Sequence, residues 1–444
     1  MRSTIFQQVS FLPTRLSLFC LFTRKIAPMN YRKRIADAEL SDALCRAGAV
    51  LIEGARGCGK TSTAQRAAGS VVRVDVDPSI DLYLQTEPDR ALQGATPRLL
   101  DEWQRQPALW DLVRRAVDDR GTPGQFILTG SAMPDPAVPR HSGAGRFSVL
   151  RMRPMTLWES GYSTGEISLQ AIASGSHVPS VDASSHDLQD WAEIICRGGW
   201  PSTLDSSLHN ALAYVSDYLE LIVHADVSEV AGVRRDPGRV SRLIASLARN
   251  VSGEAGIATL SRDAGDANSP LSRDTTARYL EALERLMVIE PLPAWQTALR
   301  DSATLRKAPV WHFVDPSLAP ATWGASPTQL VAEPKTLGLL FESLAVRDLR
   351  VYASASRGRL FRARDSADRE TDVIIQYPQG WIACEIKLGM RQAEQAASTL
   401  ARFVSIVDTQ TVGPCLARLV IVGAGPSYRL ADGTYVTPLS ALKP

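Results

Sequence analysis

The sequence has little lysine, no long apolar run and almost no net charge. Seven of its 49 basic residues are lysine, and the rest are arginine. No run of about 18 apolar residues occurs, so no membrane-spanning helix is predicted. The 49 basic and 47 acidic residues give a formal net charge of +2, which argues against a protein that coats nucleic acid by bulk charge. A local basic groove remains compatible with this balance.

Cysteine is also sparse, and its pattern excludes two classes of small fold. The six cysteines are scattered and form no CxxC pair, so the chain is neither a disulfide scaffold nor a zinc ribbon. This pattern suits a reducing compartment, and we expect a cytoplasmic protein. A length of 444 residues predicts two to four domains.

Residues 1–28 differ from the rest because they contain basic residues but no acid. They can be interpreted as a signal or transit peptide, or as an upstream extension in front of a working start at Met29. The apolar stretch is short for a signal peptide and no clear cleavage site follows it, so we favour the second interpretation.

The strongest motif is a phosphate-binding loop. Residues 54–61 fit the pattern GxxxxGK[ST], follow an apolar strand and open a predicted helix. Glycines allow the backbone N–H groups of such a loop to surround phosphates, and the helix N-terminus adds positive potential. Lys60 is expected to bridge the β- and γ-phosphates, and the Thr61 hydroxyl to bind Mg²⁺. The predicted nucleotide-binding residues are Gly54, Ala55, Arg56, Gly57, Cys58, Gly59, Lys60, Thr61 and Ser62.

Further strands and helices alternate after this loop, which predicts a parallel sheet covered on both faces. One predicted strand ends in Asp101 and Glu102; Asp101 would hold Mg²⁺ and Glu102 would orient the attacking water. Many strands end in acids, but the position about 40 residues after the loop favours the catalytic interpretation. Thr129 and Ser131 follow another strand. Either they contact the γ-phosphate or the water, or they form an ordinary turn or helix cap.

The middle of the chain is mainly helical. Residues 163–189 are rich in Ser, Gly and Asp and predict a linker or surface insert. Residues 256–315 predict a helix-turn-helix with a wing, in which Ser272 caps the longer helix, Arg273–Met287. Such a module either binds DNA or acts as a structural spacer.

These motifs resemble a group of predicted prokaryotic AAA-type P-loop ATPases that carry an uncharacterised C-terminal domain of nuclease-like fold. The resemblance extends over nearly everything after Met29. It includes residues 128–131, the Gly-Gly-Trp-Pro turn at 198–201, and Gly145-Arg146 followed by the stretch at 153–159. By this resemblance Arg146 would be an arginine finger for its own or a neighbouring subunit, with Arg140 as a competitor; a surface arginine is the other interpretation.

The resemblance implies an α/β protein with a P-loop parallel-sheet ATPase domain, a helical and winged-helix middle, and a restriction-nuclease-like C-terminal domain. The predicted divisions are a leader or mis-assigned start at 1–28, an AAA-like ATPase domain at 29–162, a linker or insert at 163–189, a helical region with a winged helix at 190–330, and a nuclease-like domain at 331–444.

In the last domain the order helix, three strands, helix, strand is predicted from 337 to 422. A second constellation resembles the Asp…Glu-x-Lys core of restriction-type nucleases and consists of Glu342, Asp372, Glu385 and Lys387. Two carboxylates suit Mg²⁺, and Lys387 would position a nucleophilic water. Four arginines were candidates for phosphate contacts: Arg357, Arg359, Arg362 and Arg364. The four residues of this constellation are also compatible with a solvent-exposed charged face, or with a nuclease fold that has no activity.

The sequence therefore predicts a cytoplasmic, non-membrane P-loop ATPase that uses ATP and Mg²⁺. Two functions are compatible with this prediction. The protein either couples ATP hydrolysis to an action on DNA or RNA, or it is a nucleotide-dependent switch or scaffold that binds a protein partner through an inactive C-terminal domain. A homo-oligomer is compatible with both.

Overall fold

The computed structural model describes residues 31–130, 141–176, 178–184, 186–227, 236–265, 269–296, 308–364 and 370–444. Within these ranges, residues 33–444 form one compact unit. The predictions for the 1–28 leader, for Met29, for Ser131 and for Arg140 fall outside the described residues. No helix in the described ranges combines the length and apolar character that crossing a membrane requires.

The first region is a five-stranded parallel sheet in the order β2-β3-β4-β1-β5. Its strands are β1 (Ala49–Gly54), β2 (Ser70–Arg73), β3 (Arg98–Asp101), β4 (Phe126–Thr129) and β5 (Phe147–Met152). Its helices are α1 (Ile35–Arg46), α2 (Lys60–Ala67), α3 (Ser79–Thr86) and α4 (Ala108–Arg120), with 3₁₀ turns at Pro88–Leu92 and Trp103–Arg105. The predicted parallel sheet is confirmed, although the sequence had not revealed β5.

Side chains of β1 alternate between two cores, as the period of a strand requires. Val50 and Ile52 face one core, whereas Ala49 and Leu51 face the other. β2 is the edge strand, where Val71 is 44% exposed.

The middle region is helical with one antiparallel hairpin. It contains α5 (Leu157–Ser160), β6 (Ile167–Ser168), α6 (Leu169–Ala173), β7 (Val181–Ser184), α7 (Leu188–Arg197), α8 (Leu208–Leu221) with a π-helical turn at Ile222–Asp226, α9 (Pro237–Arg249), α10 (Ile257–Ala264), α11 (Arg273–Arg285), the paired strands β8 (Ile289–Leu292) and β9 (Val310–Phe313), α12 (Leu318–Trp323) and α13 (Pro327–Ala332). The predicted longer helix is confirmed from Arg273 to Arg285, and the Ser272 side chain accepts a hydrogen bond from the Thr275 N–H, as predicted for a cap.

The last region is a mixed sheet in the order β10-β11-β12-β13-β15-β14-β7. It comprises α14 (Pro334–Ser354), β10 (Arg359–Arg364), β11 (Glu370–Tyr377), β12 (Gly380–Lys387), α15 (Ala393–Ile406), α16 (Thr409–Val412), β13 (Cys415–Val422), β14 (Gly425–Arg429), β15 (Tyr435–Pro438) and β16 (Leu442–Lys443), with 3₁₀ turns at Met390–Gln392 and Leu439–Ala441. The predicted order of helix, three strands, helix and strand is confirmed as far as β13.

The interpretation of residues 163–189 as a linker or surface insert needs correction. β6 pairs with β16, and β7 pairs with β14 at the edge of the last sheet. The side chains of α6 include Leu169 and Ile172, which are at most 1% exposed. The polar composition reflects the outer positions of these short elements, while a few apolar residues anchor the segment.

Candidate functional site

The phosphate-binding loop occupies the carboxyl end of β1, where ligands bind in open α/β sheets. β1 ends at Gly54 and α2 begins at Lys60. Gly57 and Gly59 have φ angles of +73° and +102°, a left-handed region that residues with a Cβ adopt at a cost. The glycines of the motif are thus required by the path of the backbone.

Lys60 lies within the loop. Its Nζ donates hydrogen bonds to the Gly54 carbonyl at 2.8 Å and to the Ala55 carbonyl at 2.9 Å, and the residue is 6% exposed. These acceptors are neutral, whereas a phosphate oxygen is charged and forms a stronger bond with an ammonium. The lysine is therefore held close to the loop without being neutralised by a carboxylate.

Asp101 lies at the carboxyl end of β3, one strand away from Thr129 of β4. Its Oδ1 accepts hydrogen bonds from the Thr61 hydroxyl at 2.9 Å and from the Thr129 hydroxyl at 2.5 Å. Its other oxygen, Oδ2, accepts none from the residues that the structure describes. A buried carboxylate beside the Thr61 hydroxyl, with hard oxygen donors, is a suitable donor set for Mg²⁺.

The Thr129 hydroxyl donates to Asp101, so its place differs from the predicted contact with the γ-phosphate or the attacking water. A hydroxyl has one proton to donate, and this one is already directed at the carboxylate. Thr129 is therefore a positioning residue for Asp101 in this arrangement.

Glu102 follows Asp101 in a left-handed backbone conformation, with φ of +56°. Such a conformation is uncommon for a residue other than glycine and is frequent at functional sites. The Gln104 side-chain amide donates to Glu102 Oε2 at 2.5 Å. This bond fixes the carboxylate, and sequence analysis had not identified Gln104.

Arg146 lies at the amino-terminal end of the parallel strands, whereas the phosphate-binding loop lies at their carboxyl-terminal end. It immediately precedes β5, whose pairing with β1 places Phe147 beside Ala49 and Met152 beside Gly54. The length of β1, at about 3.3 Å per residue, thus separates Arg146 from the phosphate-binding loop. Its guanidinium donates to Asp118 at 2.8 Å. This placement argues against a finger role within the same subunit and fits the interpretation as a surface arginine, so the neighbouring-subunit role stays a proposal.

Three residues from other parts of the chain lie against the loop, and one of them, Pro201, belongs to the Gly-Gly-Trp-Pro turn. The Arg34 guanidinium donates to the Cys58 carbonyl at 2.8 Å. A Cβ on Gly59 would lie 3.6 Å from Pro201 Cγ, and a Cβ on Gly57 would lie 2.6 Å from the Tyr214 hydroxyl. No local pattern could have identified Arg34 or Tyr214, because they come from the segment before α1 and from α8.

A buried polar network connects this region to α14 of the last domain. Arg34 pairs with Glu159 at 3.0 Å, and the neighbouring Leu157 N–H donates to Asp348 at 2.9 Å. Arg347 then joins Asp348 and Asp315 at 2.8 Å and 2.9 Å, with all three side chains almost fully buried. The ATPase sheet and α14 are therefore tied by charged contacts inside the protein.

The structure brings Asp372, Glu385 and Lys387 together at neighbouring strands of the last sheet. Val373 of β11 pairs with Cys384 of β12, which places Asp372 and Glu385 at the next step along both strands. The Lys387 ammonium lies 2.7 Å from Glu385 Oε2 and 3.1 Å from Asp372 Oδ2. We call these three residues, together with Glu342 of α14, the acidic pocket.

Charge crowding in the acidic pocket raises carboxyl pKa values. Burial, followed by the charge of Asp372, raises the pKa of Glu385 to about 8. Burial and the same aspartate raise the pKa of Glu342 well above its usual range. The neighbouring carboxylates raise the pKa of Lys387 despite its burial. Among the described residues, no three His, Cys, Asp or Glu side chains are arranged as a ready metal-ligand set, and here the lysine supplies the compensating charge.

Two of the four arginines predicted to contact phosphates are already engaged. Arg362 is 7% exposed and pairs with Glu254, and Arg364 pairs with the same carboxylate at 3.4 Å. The prediction of phosphate contacts is therefore wrong for Arg362 and Arg364, because Glu254 offsets their charges within the protein. Arg357 and Arg359 are exposed.

Three models of protein families match successive parts of the chain. Residues 46–160 match an AAA domain, residues 188–329 match a domain of unknown function (DUF8612), and residues 337–442 match another (DUF4143).

The full-length relatives have no assigned role. The chain is 26% identical over 422 residues to uncharacterized proteins Rv2008c of Mycobacterium tuberculosis and Mb2031c of Mycobacterium bovis, covering 94% of this chain and 86% of each relative. Among solved structures, the Walker-type ATPase PABY2304 of Pyrococcus abyssi is similar at a TM-score of 0.36 and 13% identity, over 65% of this chain and 94% of that one. This structural likeness is too weak to add to the argument. On the sequence match and the parallel sheet, the chain contains an AAA-type P-loop ATPase domain followed by regions that match two domains of unknown function.

Proposed function

We propose that the chain binds ATP at residues 54–62 and hydrolyses it with Mg²⁺. The observation that carries the proposal is the meeting of the Thr61 and Thr129 hydroxyls on Asp101, directly beside the loop that holds Lys60. The loop supplies backbone donors and an ammonium for the phosphates, and Thr61 with Asp101 would hold Mg²⁺. The metal, when bound, offsets the negative charge of the phosphates.

In this proposal Glu102 orients the attacking water and accepts its proton, and Gln104 holds Glu102 in position. The bond between the γ-phosphorus and the bridging oxygen breaks as the water oxygen bonds to phosphorus, so the products are ADP and phosphate. Arg34 and Tyr214 position the loop from outside and take no part in bond breaking.

The test compares Lys60→Ala with Glu102→Gln. Lys60→Ala should abolish measurable ATP binding, because the loop loses the ammonium that would contact the phosphates. Glu102→Gln should retain binding and reduce turnover by about 100-fold or more, because only water activation is lost. Lys335→Ala, at an exposed lysine of α14, is the control. Wild-type affinity for ATP in the Lys60→Ala protein would refute the assignment.

A second proposed activity, metal-dependent hydrolysis of a phosphodiester, is supported by the acidic pocket. The supporting observation is that Glu385 and Lys387 lie on one face of β12, beside Asp372. Asp372 and Glu385 would hold the metal, and Lys387 would lie beside the attacking water. Water adds to phosphorus, the ester P–O bond breaks, and the leaving oxygen takes up a proton.

Asp372→Asn should abolish cleavage of DNA and RNA while leaving ATP turnover unchanged. If wild-type protein cuts neither polymer with Mg²⁺ or Mn²⁺, then the alternative holds: a nucleotide-dependent switch or scaffold with an inactive binding domain.

We also propose that α9, α10 and α11 with the β8–β9 hairpin form a winged helix that acts as a spacer. The order of the elements and a bridge between Glu254 and Val310 support this reading. The exposed face of α11 carries both signs of charge, and Arg278 pairs with Asp274 at 3.1 Å. A helix that enters a DNA groove is expected to present more positive charge.

A further inference from the structure

A large cleft opens where the ATPase sheet, the hairpin and the last domain meet. Its volume is about 840 Å³, and its walls come from α1, β5, the end of β8, the end of α14 and the start of β10. This volume is within the range of sites that bind ligands. The cleft contains neither the phosphate-binding loop nor the acidic pocket, so the functions proposed above leave it unexplained.

The cleft is rich in arginine. Three acids line it: Glu39, Asp42 and Glu290. Six arginines line it: Arg46, Arg151, Arg153, Arg350, Arg357 and Arg359. Because the whole chain is nearly neutral, this surplus is a local concentration of positive charge.

The inner part of the cleft is a fixed ion-pair cluster. Arg153 donates to both oxygens of Glu290, at 2.8 Å and 2.6 Å, and Arg350 lies 2.9 Å from the same carboxylate. Arg151 lies 3.6 Å from Glu290 and 4.0 Å from Glu53, so more than one carboxylate offsets the charge of these three arginines. Guanidinium groups do not deprotonate in proteins, so the excess of positive charge belongs to the lining as a whole, where six arginines face three acids.

The outer part of the cleft has exposed arginines with few internal partners. Arg46 donates to the Ser148 hydroxyl at 3.2 Å, and the guanidinium groups of Arg357 and Arg359 form no hydrogen bond or ion pair with the residues that the structure describes. Several separated cations along an open cleft fit a chain of phosphates better than a single anion.

Arg357 also has an unfavourable backbone conformation. It follows α14 with φ of +61°, a position where glycine is usual at a helix end, and the next residue is Gly358. An arginine here weakens the helix end relative to glycine while placing a guanidinium at the cleft. Local rules are broken most often where a residue has a function, so this is a second observation that points to the same site.

Apolar groups complete the wall of the cleft. Val149 of β5 is 58% exposed, and Phe361, Pro291 and Pro293 lie near it along the lining. Single-stranded nucleic acid is bound by grooves that combine cations for the backbone with apolar or aromatic surfaces for the bases. A duplex hides its base faces and does not use such a surface.

We propose that this cleft binds single-stranded nucleic acid through its phosphate backbone. Arg46, Arg357 and Arg359 contact phosphates, and Val149 and Phe361 contact bases. Binding at the cleft requires no hydrolysis at either of the other sites, so the inference stands or falls separately from the proposed function.

The experiment measures fluorescence anisotropy of labelled single-stranded DNA and RNA of about 12 nucleotides, with the full chain and EDTA present. EDTA removes Mg²⁺, so that neither ATP turnover nor strand cleavage contributes. We expect affinity to fall as salt rises. Arg359→Gln and Arg357→Gly should each weaken binding about fivefold at 0.1 M salt and lower the salt slope by about 0.7.

Arg357→Gly separates binding from folding, because glycine suits this conformation and the melting temperature should not fall. Arg402→Gln, at an exposed arginine of α15, should leave affinity unchanged. The proposal is overturned if neither single strand binds, or if a duplex of the same length binds equally well. It is also overturned if ATP competes as well as the unlabelled strand does. A loss of binding in the double variant Arg273→Gln with Arg278→Gln on α11, but not in the cleft variants, would overturn it as well.

Discussion

The phosphate-binding loop and the acidic pocket each contain a lysine, in a chain that has few, but the two lysines have different partners. Lys60 donates to neutral backbone carbonyls of its own loop. Lys387 donates to carboxylates of two strands, with a third carboxyl from α14 nearby. The first lysine is therefore held by local backbone geometry, whereas the second offsets charges that the fold has brought together.

This difference separates ligand binding from stability in the two sites. Removal of Lys60 takes away the proposed phosphate contact but leaves no buried charge uncompensated. Removal of Lys387 leaves Asp372 and Glu385 close together without their cation, which destabilises the folded state itself. Four predictions test this contrast and the connection between the two regions.

The largest effect on stability should come from breaking the buried ion-pair network around Arg347. Arg347→Ala leaves Asp315 and Asp348 buried without their shared cation, and the free energy of unfolding should fall by about 3–5 kcal/mol. Urea denaturation measures the change. Arg402→Ala, at an exposed arginine, serves as the control and should change stability by less than about 0.5 kcal/mol. Equal effects of the two substitutions would show that the buried network contributes little.

The next prediction compares the two lysines directly. Lys387→Met should lower the free energy of unfolding at pH 8 by about 1–3 kcal/mol, because two neighbouring carboxylates lose their counter-charge. Lys60→Met should lower it by less than about 1 kcal/mol, since only carbonyls lose a partner. Chemical denaturation of both variants gives the comparison, which fails if Lys60→Met is the more destabilising.

The acidic pocket should also make stability depend on pH. The pKa of Glu385 is raised from 4.5 to about 8, so between these values the folded state holds a proton that the unfolded chain has released. The free energy of unfolding therefore falls as pH rises through this window, by up to about 1.4 kcal/mol per pH unit. Glu342 acts in the same direction, and Lys387 stays protonated in both states here.

Glu385→Gln should reduce this slope, because the amide has no proton to lose. Denaturation midpoints measured between about pH 5 and 8 give the slopes, and Glu281→Gln, at an exposed residue of α11, is the control. A wild-type slope in the Glu385→Gln protein would contradict the assignment of the raised pKa.

The smallest effect is expected at Arg146. Arg146 lies at the end of the strands away from the phosphate-binding loop, so Arg146→Ala should change ATP turnover by less than about twofold in dilute protein. A neighbouring-subunit role would appear only as protein concentration rises, since the finger then comes from another copy. Turnover measured over a range of protein concentrations distinguishes the two cases, and a large loss in dilute protein would refute the structural placement.

The sequence was informative where short segments determine their own structure. The GARGCGKT loop, its strand and its helix follow one another along the chain, so spacing alone predicted them. Glu385 and Lys387 were also predicted together, because the period of two along β12 is a local property. Asp372, on β11, was added to them by the resemblance to a nuclease core.

Other features depend on residues that are distant in sequence. Arg34 reaches Cys58 and Glu159, and Tyr214 reaches Gly57, through packing that no local pattern encodes. The pairing of β7 with β14 was missed for the same reason, since its polar residues looked like a linker. The place of Arg146 before β5 could not be predicted, because a motif gives the order of residues and not the end of the sheet at which they lie.

The pairing of β7 with β14 has a consequence for how the protein is made. During synthesis β7 leaves the ribosome while β14 is still about 240 residues from being translated, which at about 5–20 residues per second is a delay on the order of ten to fifty seconds. For that time the short strand has no sheet to join and its neighbour α6 has no core to cover. The nascent ATPase domain therefore carries an unsatisfied apolar segment until the last domain emerges, and a translational pause or truncation in the final hundred residues should expose the chain to proteases and chaperones at residues 163–184.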